Sequence, residues 1–246
     1  MLLFSSSFSL TAAAFVALIQ GSVASSIFTS GHGDVAVGFH DGEFEFGYHL
    51  AEGNDEAIVD GVVVDDMEFE ADELIVSVTE QAMLTASSDP NLLSGTGTEV
   101  GDIVYLISQN STGVDGPILG FDTEELLQPA GVTWSDVEFT VNGFSGPGEF
   151  FLFDIGLDGL EFFFSEELSV NSFTFPPDGH DEANWFFTEP GTYEIELTAE
   201  ATRTEMGVGQ DFEATETFTF QVIPEPSSAL LLAGSTLGLL LRRRRS

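Results

Sequence analysis

Two of the four histidines in this chain stand two residues before an acid, in His32-Gly33-Asp34 and in His180-Asp181-Glu182. Each of these histidines therefore has an acid close beside it, so each motif offers a nitrogen and an oxygen donor. Imidazole with carboxylate suits zinc or manganese, and thiolate sites are excluded because the chain has no cysteine. If the segments that carry them pair or face each other, His32, Asp34, His180 and Glu182 converge as a mixed site for a divalent transition cation. Otherwise His32 and His180 are loop residues that bond backbone carbonyls or water. His40 and His49 complete the set.

Other chemistry is less sharply marked. Asp154-Ile155-Gly156-Leu157-Asp158-Gly159 matches a calcium loop only at its first, fifth and sixth positions, with Gly156 at the third and Ser165 at the twelfth. A turn between two Phe-rich strands explains it better. The acids Asp65, Asp66, Glu68, Glu70, Asp72 and Glu73 fit loosely held calcium, or simply a solvated face. Trp185-Phe186-Phe187 offers rings for stacking on a sugar, but consecutive strand residues alternate faces, so core packing is the better reading. There is no Gly-x-Ser-x-Gly, no His-Glu-x-x-His and no phosphate-binding glycine loop, and no enzyme is expected.

The elements that must position these residues alternate with period two. Phe44, Phe46 and Tyr48 alternate with Glu43, Glu45 and Gly47; Tyr193, Ile195, Leu197 and Ala199 with Thr192, Glu194, Glu196 and Thr198; Phe218, Phe220 and Val222 with Thr217, Thr219 and Gln221. Further strands are expected over residues 35–39, 74–78, 103–108, 137–141, 149–155, 160–164, 172–175 and 184–188. Turn signals such as Asp41-Gly42 and Gly146-Pro147-Gly148 separate many of them. One short helix is expected over 123–127, capped by Asp122 and ended by Pro129. Irregular connections are expected over 81–98 and 131–147. The pattern is that of an all-β protein, an antiparallel β-sandwich in Ig-like or jelly-roll style.

Charge narrows the partners. Of 42 acids only Glu225 falls in the last 24 residues, and of five basic residues only Arg203 falls outside them, so the body carries 41 carboxylates against one cation. Ion pairs with Lys or Arg cannot organise such a fold, and nucleic acid is excluded as a partner because its binding depends on basic patches. With no disulfide, the body must be held by its core, to which the chain's 24 Phe contribute large buried areas.

The two ends read as targeting segments. Residues 1–24 hold an apolar stretch from Leu10 to Ile19 and a small-residue cleavage site at Ala24, as in a secretory signal peptide, though no Lys or Arg precedes the stretch. Residues 223–246 hold Pro224-Glu225-Pro226, an apolar helix-forming run from Ser227 to Leu241, and Arg242, Arg243, Arg244 and Arg245. Fifteen residues make roughly 22 Å of helix against the roughly 30 Å of a bilayer core, short for a permanent anchor, and the arginines are expected to stay on the cytoplasmic side. This tail resembles a PEP-CTERM sorting signal, which implies an exosortase that recognises Pro224, Glu225 and Pro226 and processes the chain there. The resemblance implies an inner-membrane intermediate handled by the secretion machinery, then the cell surface or extracellular space, with exopolysaccharide or the envelope as partner.

The domain expected over residues 25–222 carries a second resemblance, which spans most of residues 30–222. Gly31-His32-Gly33-Asp34-Val35-Ala36-Val37-Gly38-Phe39, Gly146-Pro147-Gly148-Glu149-Phe150-Phe151-Leu152-Phe153 and His180-Asp181-Glu182-Ala183-Asn184-Trp185-Phe186-Phe187-Thr188-Glu189-Pro190-Gly191-Thr192-Tyr193 together are similar to the choice-of-anchor M domain of surface-anchored proteins. That family implies an outer domain of unestablished activity, with some members resembling components encoded with metal-uptake systems. Its motif has a second histidine where this chain has Glu182, a departure that weakens an all-histidine site. The expected function is a non-catalytic adhesive, structural or ligand-binding module, with a transition-metal-binding domain and a carbohydrate-binding module as rivals.

Overall fold

A computed structural model describes residues 25–224, apart from 54, 80–81, 87, 89, 110–115 and 157–158. The expected N-terminal signal helix, the apolar C-terminal helix, Glu225, Pro226, Arg242, Arg243, Arg244 and Arg245 therefore lie outside the described residues. Among those described, no helix is long and apolar enough to cross a membrane.

In chain order the elements are β1 (Ser26–His40), β2 (Glu43–Leu50), β3 (Ala57–Val59), β4 (Val62–Val64), β5 (Met67–Glu70), β6 (Leu74–Val78), β7 (Met83–Thr85), α1 (Pro90–Thr96), β8 (Ile103–Ile107), β9 (Pro117–Asp122), β10 (Val132–Trp134), β11 (Val137–Ser145), β12 (Phe150–Gly156), β13 (Gly159–Phe164), β14 (Ser172–Phe175), β15 (His180–Glu182), β16 (Asn184–Phe187), β17 (Gly191–Glu205) and β18 (Val208–Val222). The large sheet runs β14-β11-β17-β18-β6-β1-β2-β5, with β9 and β3 also on β1, β15 on β9, β4 on β3 and β10 on β17. The small sheet runs β13-β12-β16-β8-β7. The all-β, two-sheet expectation holds. Pairing is mostly antiparallel, but β1 runs parallel to both β6 and β9, and β6 runs parallel to β18.

Turn chemistry closes the hairpins, at the expected Asp41-Gly42 and at two further pairs. Asp41-Gly42, Asp60-Gly61 and Met206-Gly207 each hold two consecutive residues at positive φ, which matches the twist of the strands they join. The two sheets meet through aromatic rings. Trp185 of β16 stacks on Phe121 of β9 at 5.6 Å and lies 5.0 Å from Phe220 of β18, while Phe187 packs on Phe220 and Tyr193. Tyr193, at the start of β17, donates its hydroxyl to the Glu189 carbonyl four residues upstream (2.8 Å), the device of a tyrosine corner in Greek-key sandwiches. On the far face of the small sheet Phe151, Phe153 and Phe186 form a second cluster with Leu92, Leu93 and Phe162.

The helix falls elsewhere than expected. Residues 123–126 form a turn: Asp122 accepts from the Glu124 amide (2.6 Å) as a cap would, but Thr123 is tied to the carbonyls of Pro176 and Gly179, and Pro129 follows too soon for a ladder to grow. The helix α1 lies within 81–98, where β7 also forms. It opens on Pro90 and closes on Gly97, whose φ of 64° and bond to the Leu93 carbonyl make the usual glycine stop. The segment 131–147 is likewise ordered, as β10 and β11. Trp185, Phe186 and Phe187 are 0, 2 and 0 % exposed, so none of these rings is available to a sugar.

Candidate metal centre

β9 brings the two histidine motifs together. β1 and β15 do not pair; each flanks β9, with Asp34 and Glu182 both opposite Gly120, His32 opposite Ile118 and His180 opposite Asp122. Because side chains alternate, His32, Asp34, His180 and Glu182 rise on one face and Val35, Leu119 and Phe121 enter the core on the other. Gly120 leaves the centre of this face open. A Cβ there would lie 2.5 Å from Asp34 Oδ1, 2.6 Å from the Asp181 carbonyl oxygen and 3.1 Å from Glu182 Oε2.

The resulting ring is tight. His32 Nε2 is 2.6 Å from Glu182 Oε1, His180 Nε2 is 3.3 Å from Asp34 Oδ1 and 3.7 Å from Glu182 Oε1, and the imidazole centroids are 5.2 Å apart. One donor atom from each residue lies within 4.8 Å of all the others. A tetrahedral ion with bonds of about 2.0–2.1 Å separates its donors by about 3.3–3.4 Å, so the short His32–Glu182 edge would have to open for the ring to hold one. Asp34 is 1 % exposed and His32 9 % exposed. The Asp34 Oδ1, Glu182 Oε2 and His32 Nδ1 atoms are buried without a hydrogen bond; the Asp34–His180 contact has the distance of an ion pair but not the alignment of a bond. His32 Nδ1 faces Asp55 Oδ2 at 3.5 Å. Such orphaned atoms are costly unless something fills the space between them.

Electrostatics agree. The His180 ring is pushed up to about 11, first by Asp34 and then by Glu182. The bond to Glu182 raises His32 despite burial, and burial raises Glu182 less than the two histidines lower it. A cation entering the ring therefore replaces bound protons, the usual coupling of metal binding to ligand deprotonation.

The remaining candidates separate clearly. His40 is exposed and bonds Glu125 at 2.9 Å. His49 of β2 sits directly opposite Asp34 and gathers Glu52 and Asp122, two acids that sequence reasoning did not attach to a site. The clue was Asp122 itself: an acid at the end of a run as apolar as Pro117–Phe121 carries more than a cap. The six acids from Asp65 to Glu73 are all exposed, as a solvated face requires. Asp154 of β12 accepts from Gln109 Nε2 (2.7 Å), and β12 pairs with β13 as far as Gly156 and Gly159; Leu157 and Asp158 lie outside the described residues. Arg203–Glu205 is, among the described residues, the one ion pair that does not use a histidine.

No protein-family model matches the chain, and no curated protein matches it either.

One stability prediction arises here. Burial pushes the Asp122 carboxyl from 3.8 up to about 6. A raised pKa contributes stability below the unfolded value and loses it as pH rises through the folded one. Going from pH 5 to pH 7 should therefore cost the metal-free domain about 1 kcal/mol at this residue. Urea midpoints measured in chelator should fall over that interval in the wild type, and fall less in Asp122→Asn; equal slopes would refute the assignment.

Proposed function

We propose that this is an exported, exosortase-processed surface protein whose acidic β-sandwich captures a divalent transition cation, zinc or manganese, at His32, Asp34, His180 and Glu182. The observation that carries the proposal is the convergence of four donors from two distant motifs over Gly120. Two nitrogens and two carboxylate oxygens suit zinc and also admit manganese. Four protein donors fill a tetrahedral shell, which fits capture or delivery better than catalysis, where a position stays open. The tail with Pro224, Glu225 and Pro226 and the surplus of carboxylates support the exported setting, with the secretion machinery and the envelope or exopolysaccharide as partners.

Elemental analysis of the purified body after exhaustive dialysis tests the proposal. The wild type should retain stoichiometric zinc or manganese, and His180→Ala should lose one equivalent, with a circular dichroism spectrum unchanged. Unaltered metal content in His180→Ala would show that the ring is not the site. Retention of no metal by the wild type would remove the reading altogether.

A further inference from the structure

We propose that the same face holds a second divalent-cation position, formed by His49 Nδ1, Glu52 and Asp122, beside the His32–His180 ring and independent of it. His49 lies on β2 next to Asp34 on β1, and Asp122 on β9 lies two residues beyond Gly120, so the new position shares the outer face of the large sheet with the first. Glu52 follows three residues after His49. The chain turns at Ala51, which is fully buried at φ 60°, and this brings the Glu52 carboxylate back over the imidazole.

The histidine is set up as a ligand. Its Nε2 is 2.9 Å from Asp66 Oδ1; a carboxylate only accepts, so this contact takes the N–H on Nε2 and, in the neutral ring, leaves the lone pair on Nδ1. A carboxylate that fixes the tautomer and aims the other nitrogen is the customary outer support of a metal-bound histidine. Nδ1 then faces Glu52 Oε2 at 3.7 Å and Asp122 Oδ2 at 3.9 Å. Both separations are too long for a hydrogen bond and within the spread of donor pairs around one ion.

The independent sign of a ligand is what these atoms lack. Asp122 is 1 % exposed and its Oδ2 has no hydrogen-bond partner, although Oδ1 accepts from the Glu124 amide. The His49 side chain is 5 % exposed and its Nδ1 is equally without a partner. A carboxylate oxygen and an imidazole nitrogen, both buried, both unpaired and directed at one another across 3.9 Å, leave a gap that a cation satisfies on both sides. One nitrogen and two carboxylates form a harder donor set than the first ring, which favours manganese over zinc at this position.

Metal counting by elemental analysis decides the matter, with Mn²⁺ and Zn²⁺ supplied separately in molar sodium chloride, which screens the diffuse acidic surface to about 3 Å. The wild type should bind two equivalents, Asp122→Asn one, His180→Ala one, and the double variant none. Asp122→Asn keeps an oxygen for the Glu124 amide, and Glu52→Gln, on a partly exposed loop, gives a second variant that leaves the fold intact; it should weaken one of two Mn²⁺ equivalents at least tenfold. Two equivalents retained by Asp122→Asn at wild-type affinity would overturn the proposal. So would a wild type that binds one equivalent, lost in His180→Ala and kept in Asp122→Asn, an outcome that leaves the first ring standing. One equivalent lost in Asp122→Asn and kept in His180→Ala would instead uphold the second position and refute the first.

Discussion

Gly120→Ala is expected to remove the metal equivalent held by the His32–His180 ring and to destabilise the domain by about 1–3 kcal/mol, the usual range for overpacking a tight site. The backbone at Gly120 is not in a conformation reserved for glycine, so the effect is one of space alone. Of the three atoms a Cβ would meet, Asp34 Oδ1 and Glu182 Oε2 belong to the proposed ligands, and the Asp181 carbonyl belongs to the strand that carries His180 and Glu182. Relief must come from moving β15 outward, swinging both carboxylates away, or both. Either motion opens the ring beyond the separation of donors around one ion. Gly143→Ala on β11 is the matched control, because a Cβ there meets nothing within 4 Å; metal content and urea midpoint should stay at wild-type values. If Gly120→Ala binds metal with wild-type stoichiometry, the four residues do not form the site.

The identity of the four residues of that site was legible in the sequence. His32 with Asp34, and His180 with Glu182, stood out as histidines beside acids, but the strands expected nearby were 35–39 and 184–188; that each pair shares a strand face became visible only because β1 begins at Ser26 and β15 at His180. Two strands were legible to the residue: Ser-Phe-Thr-Phe over 172–175, which alternates, coincides with β14, and the short apolar run over 74–78 coincides with β6. What spacing cannot supply is the strand between the motifs. β9 reads Pro-Ile-Leu-Gly-Phe-Asp, with a proline, a glycine and no alternation of apolar with polar, because one face is core and the other is a row built around Gly120. The partnership of His49 with Asp122 was hidden for the same reason, since it depends on β2, β1 and β9 lying side by side. The long hairpin of β17 and β18 was read only in part. Its distal part, Ala201–Glu205 with Val208–Phe212, packs few large residues and alternates weakly, yet the register continues unbroken to Glu205 and Val208. The helix was misplaced because Asp122 and two glutamates imitate a first turn, whereas Pro90 and Gly97 mark the true limits of α1.

Trp185→Ala is expected to cost about 3–5 kcal/mol, a large fraction of the stability of a domain this size. The indole is fully buried, stacked 18° from parallel on Phe121, 5.9 Å from Phe150 and 5.0 Å from Phe220, and its Nε1 donates to the Leu119 carbonyl at 2.9 Å. Leu119 and Phe121 are the residues on either side of Gly120. The ring therefore holds β9 from the core side at the point where the opposite face carries the proposed metal ligands. Loss of the indole leaves a cavity between the sheets and an unpaired buried carbonyl, and it loosens the strand that sets the spacing between Asp34 and Glu182. Trp185→Phe separates these effects: it keeps most of the packing, gives up the bond to Leu119, and should lose about 1–3 kcal/mol while retaining its metal. Urea unfolding followed by near-ultraviolet circular dichroism, with metal content measured on the same samples, checks both variants. A loss below 1 kcal/mol in Trp185→Ala would mean that the indole is not in the core.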